Sequence, residues 1–192
     1  MVKVVAFNAS PRKDGNTKRL LDEVIKELEA KKIETEIIQI GGQRVHGCTA
    51  CMKCLENQDE KCVLNKDFVN ECIQKMKEAD GIIIGTPTYF ADVSTEAKAL
   101  IDRAGFVAIV NGGLFKRKVG AAVVAVRRAG AVHAYDTINH FFGINNMVTV
   151  GSSYWNLGIG FEAGDVEKDE EGIQTMRDLG NNMAWLLKKI SD

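Results

Sequence analysis

The chain alternates between two periodicities. Val4-Val5-Ala6-Phe7 is a short unbroken apolar run, the pattern of a strand buried on both faces in a parallel sheet. Ile82-Ile83-Ile84, Ala121 to Val126, and Met147 to Val150 repeat it. Ile33 to Ile40 mixes apolar residues with Glu34 and Glu36 and reads as an edge strand. Between these runs the apolar positions fall at helical spacing: Leu20, Leu21, Val24, Ile25 and Leu28; then Phe68, Val69, Cys72, Ile73 and Met76; then Ala97, Leu100, Ile101 and Ala104. Val132, Tyr135, Ile138, Phe141 and Phe142 make a fourth, interrupted stripe, and Ile173, Met176, Leu179, Met183 and Leu187 a fifth. Strands alternating with helices in this way predict a doubly wound α/β domain with a parallel sheet.

One connection breaks the alternation. Residues 41–65 lack strong periodicity, and unstructured loops of that length in compact domains are usually functional or disordered. Four of the five cysteines lie there, as Cys48-x2-Cys51-x2-Cys54-x7-Cys62. Thiolates at such spacing suit an iron–sulfur cluster, here [4Fe–4S]. Structural zinc more often pairs two separated C-x2-C knuckles, but zinc and free thiols stay open as readings. The opening MVKVVAF lacks the charged-then-apolar pattern of a signal peptide, and five cysteines leave one unpaired. Reduced thiols and a cytoplasmic location are therefore expected. Cys72 falls on a helical apolar stripe and reads as a packed, inert thiol.

Composition narrows the classes. The 192 residues carry a net charge of −1, so neither nucleic acid nor an anionic membrane is expected as a partner. They are 45% hydrophobic and 27% charged, values of an ordinary globular chain, and one domain over residues 1–192 is expected.

Two further loops carry chemistry. After the first strand comes Asn8-Ala9-Ser10-Pro11-Arg12-Lys13-Asp14-Gly15-Asn16-Thr17, running into the first helix. A polar, glycine-containing turn at a helix N-terminus offers backbone N–H groups and the helix dipole to an anion. It matches neither the dinucleotide fingerprint nor the Walker loop. Ser10, Arg12, Gly15, Asn16 and Thr17 are therefore candidates for a phosphate monoester such as that of FMN, although Ser, Asn and Thr here also fit as helix caps. After the third strand comes Thr86-Pro87-Thr88-Tyr89-Phe90, an aromatic pair at a strand's C-terminal end, where α/β domains bind ligands. Pro87, Thr88, Tyr89 and Phe90 are candidates for contacts to a flavin ring. Arg127-Arg128-Ala129-Gly130 follows the fourth strand at the same edge, which adds Arg128 and Gly130.

These motifs occur in an order that resembles a known family. Residues 10–17 resemble the phosphate loop of the NADPH-dependent FMN reductase-like flavoproteins. Residues 86–90, with Lys98-Ala-Leu-Ile-Asp102-Arg103 downstream, resemble their flavin-ring loop. With Cys48, Cys51, Cys54 and Cys62, the chain resembles the iron–sulfur flavoprotein family of anaerobic archaea and bacteria over roughly residues 1–160; Gly151-Ser-Ser-Tyr-Trp155 also looks like a stretch of that family. The resemblance implies a flavodoxin-like five-stranded sheet of order 2-1-3-4-5, FMN, a cubane cluster on the four cysteines, and a homodimer or homotetramer in which the two centres exchange electrons. A ferredoxin-like protein or NAD(P)H would be the electron donor. In that strand order the cysteine loop leaves the same sheet edge as the flavin loops, so cluster and flavin are expected as neighbours, within one subunit or across an interface. The alternative is an NAD(P)H-dependent FMN reductase whose cysteines are free or zinc-bound. The apolar run Phe106 to Val110, with Leu114 and Phe115, is expected as a surface connection that mediates the oligomer.

Overall fold

A computed structural model describes residues 2–191. The elements run β1 (Lys3–Asn8), α1 (Asn16–Ala30), β2 (Glu34–Gln39), α2 (Lys53–Asn57), α3 (Val69–Glu78), β3 (Gly81–Pro87), α4 (Thr95–Val110), β4 (Val119–Val126), α5 (Ala131–Ile144), β5 (Val148–Thr149), β6 (Leu157–Ile159), a 3₁₀ turn at Asp165–Lys168, and α6 (Glu170–Ser191). The strands pair in parallel in the order β2-β1-β3-β4-β5, which is the flavodoxin-like arrangement.

Alternation along each buried strand makes two cores. Val4, Ala6, Ile83 and Ala121 face α1 and α6, while Val5, Phe7, Ile82, Ile84 and Ala122 face α3, α4 and α5. Helices lie close to the sheet where strands carry glycine. A Cβ on Gly85 would come within 2.7 Å of Leu21 Cδ1, and one on Gly120 within 2.7 Å of Phe142 Cγ. Among the described residues no helix is long and apolar enough to cross a membrane.

The fifth strand position is divided. β5 pairs with Val119 and Gly120 at the start of β4, and β6 pairs with Val124 to Val126 at its end. Between them Gly151–Asn156 loops outward, with Asn156 buried and its carbonyl accepting the Val124 N–H at 3.0 Å. The sheet therefore has six strands, one more than the resemblance implies, because β6 is three residues long and too short to show a periodicity.

Two other expectations change. Phe106 to Val110 is the end of α4, not a surface connection: Val107, Ala108 and Phe115 are buried, and Ile109 faces out. On α5, Ile138, Phe141 and Phe142 are buried as expected, but the same face continues through Ala131 and Ala134 in the first turn, which leaves Val132 exposed.

Candidate functional site

The loops that follow β1, β3 and β4 meet at the C-terminal edge of the sheet. There they enclose a cleft of about 250 Å³ beside the β1/β3 switch point. Ser10, Arg12, Asn16, Thr17, Pro87, Thr88 and Tyr89 line it, as does Arg127.

The loop after β1 is held from below. Asn8 is fully buried; its Nδ2 donates to Gln39 Oε1 at 2.7 Å, and its Oδ1 accepts the Ser10 N–H at 3.1 Å. Gln39 Nε2 donates to the carbonyls of Ser10 and Gly41 at 2.7 and 2.8 Å. Ser94 caps α4, accepting the Ala97 N–H at 3.3 Å, and its Oγ donates to the Ala9 carbonyl at 2.8 Å. One buried hydroxyl thus joins the loop after β1 to the loop after β3.

The cleft is cationic. Among the described residues its lining includes Arg12 and Arg127 and no carboxylate. Thr17 Oγ1 and Thr88 Oγ1 are buried polar atoms with no partner among the described residues, although such groups are normally hydrogen-bonded. They stand at the two ends expected for a phosphate and for a flavin edge. An FMN fits this donor set: an anion at the start of α1, polar ring atoms at Thr88, and Tyr89 alongside.

Other candidates stand outside the lining. Gly15 lies behind it as the residue before α1, its N–H donated to the Arg12 carbonyl at 3.0 Å. Phe90 is fully exposed with φ 47°, so it projects from the turn instead of packing into the cleft. Arg128 is exposed, and the wall position is taken by Arg127, whose guanidinium stacks 4.7 Å over Phe161. Gly130 (φ 90°) lets two loops close together, because a Cβ there would lie 2.7 Å from Ala91 Cα. Gly160 and Phe161 line the cleft unexpectedly, carried in by β6. The carbonyl of Phe161 accepts a hydrogen bond from Arg12 Nη1 at 3.2 Å.

Cys48, Cys51, Cys54 and Cys62 line a second, much narrower pocket of about 20 Å³. All are free thiols; Cys48 and Cys51 are exposed, Cys54 is buried and Cys62 half-buried. No carboxylate or imidazole belongs to the described lining, which otherwise includes Arg103, Thr49 and apolar residues. Its donor set is that of a thiolate-held cluster or zinc. Among the described residues, however, no three His, Cys, Asp or Glu side chains stand close enough to ligate one ion in this arrangement. Ala50, Met52, Gln58 and Glu60 all have positive φ, a concentration of strain typical of functional segments. Lys53's backbone N–H, the largest of several influences, lowers the Cys51 thiol pKa, whereas burial raises that of Cys54.

The loop is ordered by polar ties, not by apolar packing alone. Asn111 Nδ2 donates to the Cys54 carbonyl at 3.4 Å, and its Oδ1 accepts the Glu60 N–H at 3.0 Å. Asn70 exchanges two 2.8 Å bonds with the backbone of Cys62. Arg103, grouped with the flavin loop on sequence, instead lies under the cysteine loop, fully buried beside Asp67. Burial alone would raise the Asp67 carboxyl, but hydrogen bonds from Arg103, His46 and Val69 outweigh it and hold it below the usual carboxylate range.

The two pockets adjoin α4 at different points along it. Ser94, at the start of α4, adjoins the cleft, while Arg103, Phe106 and Val107 of the same helix line the cysteine pocket. Nine to thirteen residues at the α-helical rise separate them by roughly 13–20 Å.

A family model described as NADPH-dependent FMN reductase matches residues 2–162. An iron–sulfur flavoprotein of Methanocaldococcus jannaschii is 38% identical over 98% of this chain and 99% of its own length. Another from Archaeoglobus fulgidus is 31% identical over 97% and 98%, and one from Methanosarcina thermophila 30% over 98% and 97%. Solved structures share the fold: a WrbA-like flavodoxin of Agrobacterium tumefaciens (TM-score 0.67, 17% identity, 97% of each chain) and an NAD(P)H:quinone oxidoreductase of Methanothermobacter marburgensis (TM-score 0.69, 15% identity, 95% and 96%). The fold and cleft define an oxidoreductase of the FMN-binding flavoprotein class. Within that class the chain belongs to the NADPH-dependent FMN reductase family, among its iron–sulfur flavoproteins.

Proposed function

We propose that this chain transfers electrons between an FMN in the cleft and a [4Fe–4S] cluster held by Cys48, Cys51, Cys54 and Cys62. The observation that carries the reading is the convergence of all four loop cysteines on one pocket whose described lining has no carboxylate or imidazole. FMN supplies two-electron uptake with one-electron release, and a cluster carries electrons singly. The chain's own part is positional. Arg12, Thr17 and the start of α1 would hold the phosphate, Thr88 and Tyr89 the ring, and Arg103 a cation beside the thiolates.

Because α4 separates the pockets on one chain, exchange between the two centres is assigned to different copies of the protein. A homodimer or homotetramer is consistent with the open, largely apolar groove between α4 and α5, where Ile109 and Ile144 are exposed. A ferredoxin-like protein or NAD(P)H is the proposed donor. The test is anaerobic purification with iron, sulfide and flavin analysis. Flavin with about four irons per chain is expected.

A second reading is an FMN reductase whose cysteines bind no cluster. It is favoured by the absence, among the described residues, of any three side chains already gathered to ligate an ion. Flavin without iron after anaerobic reconstitution would select it.

A further inference from the structure

Arg103 is the largest fully buried side chain among the described residues, at 1% exposure, on a helix face otherwise built from Ala99, Leu100, Ala104 and Val107. A guanidinium offers five N–H donors in a rigid fork. Here Nε donates to Cys62 Sγ at 3.3 Å, Nη1 to the His46 carbonyl at 3.0 Å and to Asp67 Oδ2 at 2.5 Å, and Nη2 to the Leu64 carbonyl at 2.5 Å. Every one of these acceptors lies within residues 46–67. Asp67 also accepts the N–H of His46 at 3.0 Å. The two ends of the segment that carries the four pocket cysteines are therefore joined on one buried ion pair.

Packing does not account for this choice. A buried pair is seldom more stabilising than apolar residues of similar volume, because both charges must be desolvated. What an apolar side chain could not do is fix His46, Leu64 and Asp67 against one another. That register carries Cys48, two residues past His46, and Cys62, two residues before Leu64, into the lining of one pocket.

From this geometry we infer that Arg103 is the positioning residue of the cysteine site, which brings the loop into register without metal and keeps a hydrogen-bond donor and a positive charge against the sulfur of Cys62. Only the effect on a cluster rests on the proposed function; the ordering of the loop does not. A donor and a cation beside a sulfur ligand stabilise the more negative, reduced cluster and so raise its potential.

The test uses the full chain with FMN bound, comparing Arg103→Met, Arg103→Lys and Asp67→Asn with the unsubstituted protein. In metal-free protein, hydrogen exchange is followed over residues 46–67. Arg103→Met and Asp67→Asn are expected to speed it by roughly tenfold or more while FMN stays bound. Unchanged exchange in either folded variant would overturn the ordering role. Should Arg103→Met fail to fold, seen as loss of FMN, Asp67→Asn decides, since it opens no cavity. In iron-reconstituted protein the cluster potential is titrated by electron paramagnetic resonance. Arg103→Met should shift it to more negative values and Arg103→Lys should recover part of the shift. An unchanged potential with full iron would overturn the tuning role. Failure of the unsubstituted protein to take up iron would instead defeat the cluster reading, and the exchange measurements would still decide the ordering.

Discussion

Asn16 Oδ1 accepts the N–H of Gly164 at 2.9 Å, so the residue that opens α1 also holds the far wall of the cleft. The fit is close enough to need glycine nearby: a Cβ on Gly160 would come within 2.8 Å of Asn16 Nδ2 and 2.6 Å of the Val166 nitrogen. The sequence makes Asn16 a candidate phosphate donor through its amide NH2, and its amide oxygen is committed to this tie. Asn16→Ala leaves the Gly164 N–H without its partner and loosens the wall that carries Phe161. A loss of about 1 kcal/mol in FMN binding, or roughly fivefold in Kd, is expected together with a lower Tm. Fluorescence titration and thermal melting check it; if both stayed unchanged, the tie would have no weight.

Thr17 Oγ1 is buried, and Thr17 lines the cleft with no hydrogen-bond partner for that hydroxyl among the described residues. A phosphate would supply that partner, and a hydrogen bond to a charged group contributes about 1.5–3 kcal/mol. Thr17→Val keeps the shape and removes the hydroxyl. FMN affinity should fall by about tenfold or more, while riboflavin, which lacks the phosphate, should bind as before. Equal weakening of both ligands would count against placing the phosphate at the start of α1.

The strands and most helical faces were legible because buried strands and amphipathic helices write their periods into the sequence, whereas the strand order was legible only through the family resemblance. The cysteine quartet and the two loops were legible because their residue types do not fit either period. Arg103 was harder. Position 103 falls on the same helical face as Leu100 and Val107, so a charged residue there was a signal of burial, but its partners lie 36 to 57 residues away in a loop without periodicity. Gly160 and Phe161 were invisible for a different reason: only the pairing of a three-residue strand with Val124–Val126 brings them to the cleft. Phe106–Val110 misled because an all-apolar run carries no phase, and only packing against the sheet tells its inner residues from Ile109.

The α4–α5 groove gives a test of assembly. Ile144 is 67% exposed and Ile109 42%, and both line the groove. Ile144→Glu should leave FMN binding intact and shift sedimentation toward monomer at micromolar concentration, since a charge in an apolar interface is strongly unfavourable. A monomeric unsubstituted protein would sink the idea directly.

The Cys72 thiol is pushed up to about 12, chiefly by burial within the core beneath α3. Its ordinary value is 9.0, so the folded state favours the neutral form. The sign follows from linkage: this contribution to stability is fully present below pH 9.0 and is lost as pH rises through about 12. Native protein at pH 8 should therefore resist alkylation at Cys72 while exposed Cys48 and Cys51 react. Mass spectrometry of the modified peptides checks this, and rapid labelling of Cys72 at pH 8 in folded protein would contradict it.

Substituting Cys62 and Cys72 separately distinguishes the ligand set. Cys62 lines the cysteine pocket and takes a hydrogen bond from Arg103, whereas Cys72 points into the α3 core at 1% exposure. Cys62→Ser should lose cluster iron, because a serine hydroxyl replaces a thiolate ligand, and should keep FMN, because the cleft is built by other loops. The loop should keep much of its protease resistance, since Asn70, Asn111 and the Arg103–Asp67 pair all hold backbone or carboxylate groups that this substitution leaves in place. Cys72→Ser should retain all its iron and lose about 1–3 kcal/mol of stability, from a hydroxyl buried without a ready partner. Iron analysis beside a denaturant titration reads both effects. Loss of iron in Cys72→Ser with retention in Cys62→Ser would reverse the assignment and place the fourth ligand on α3.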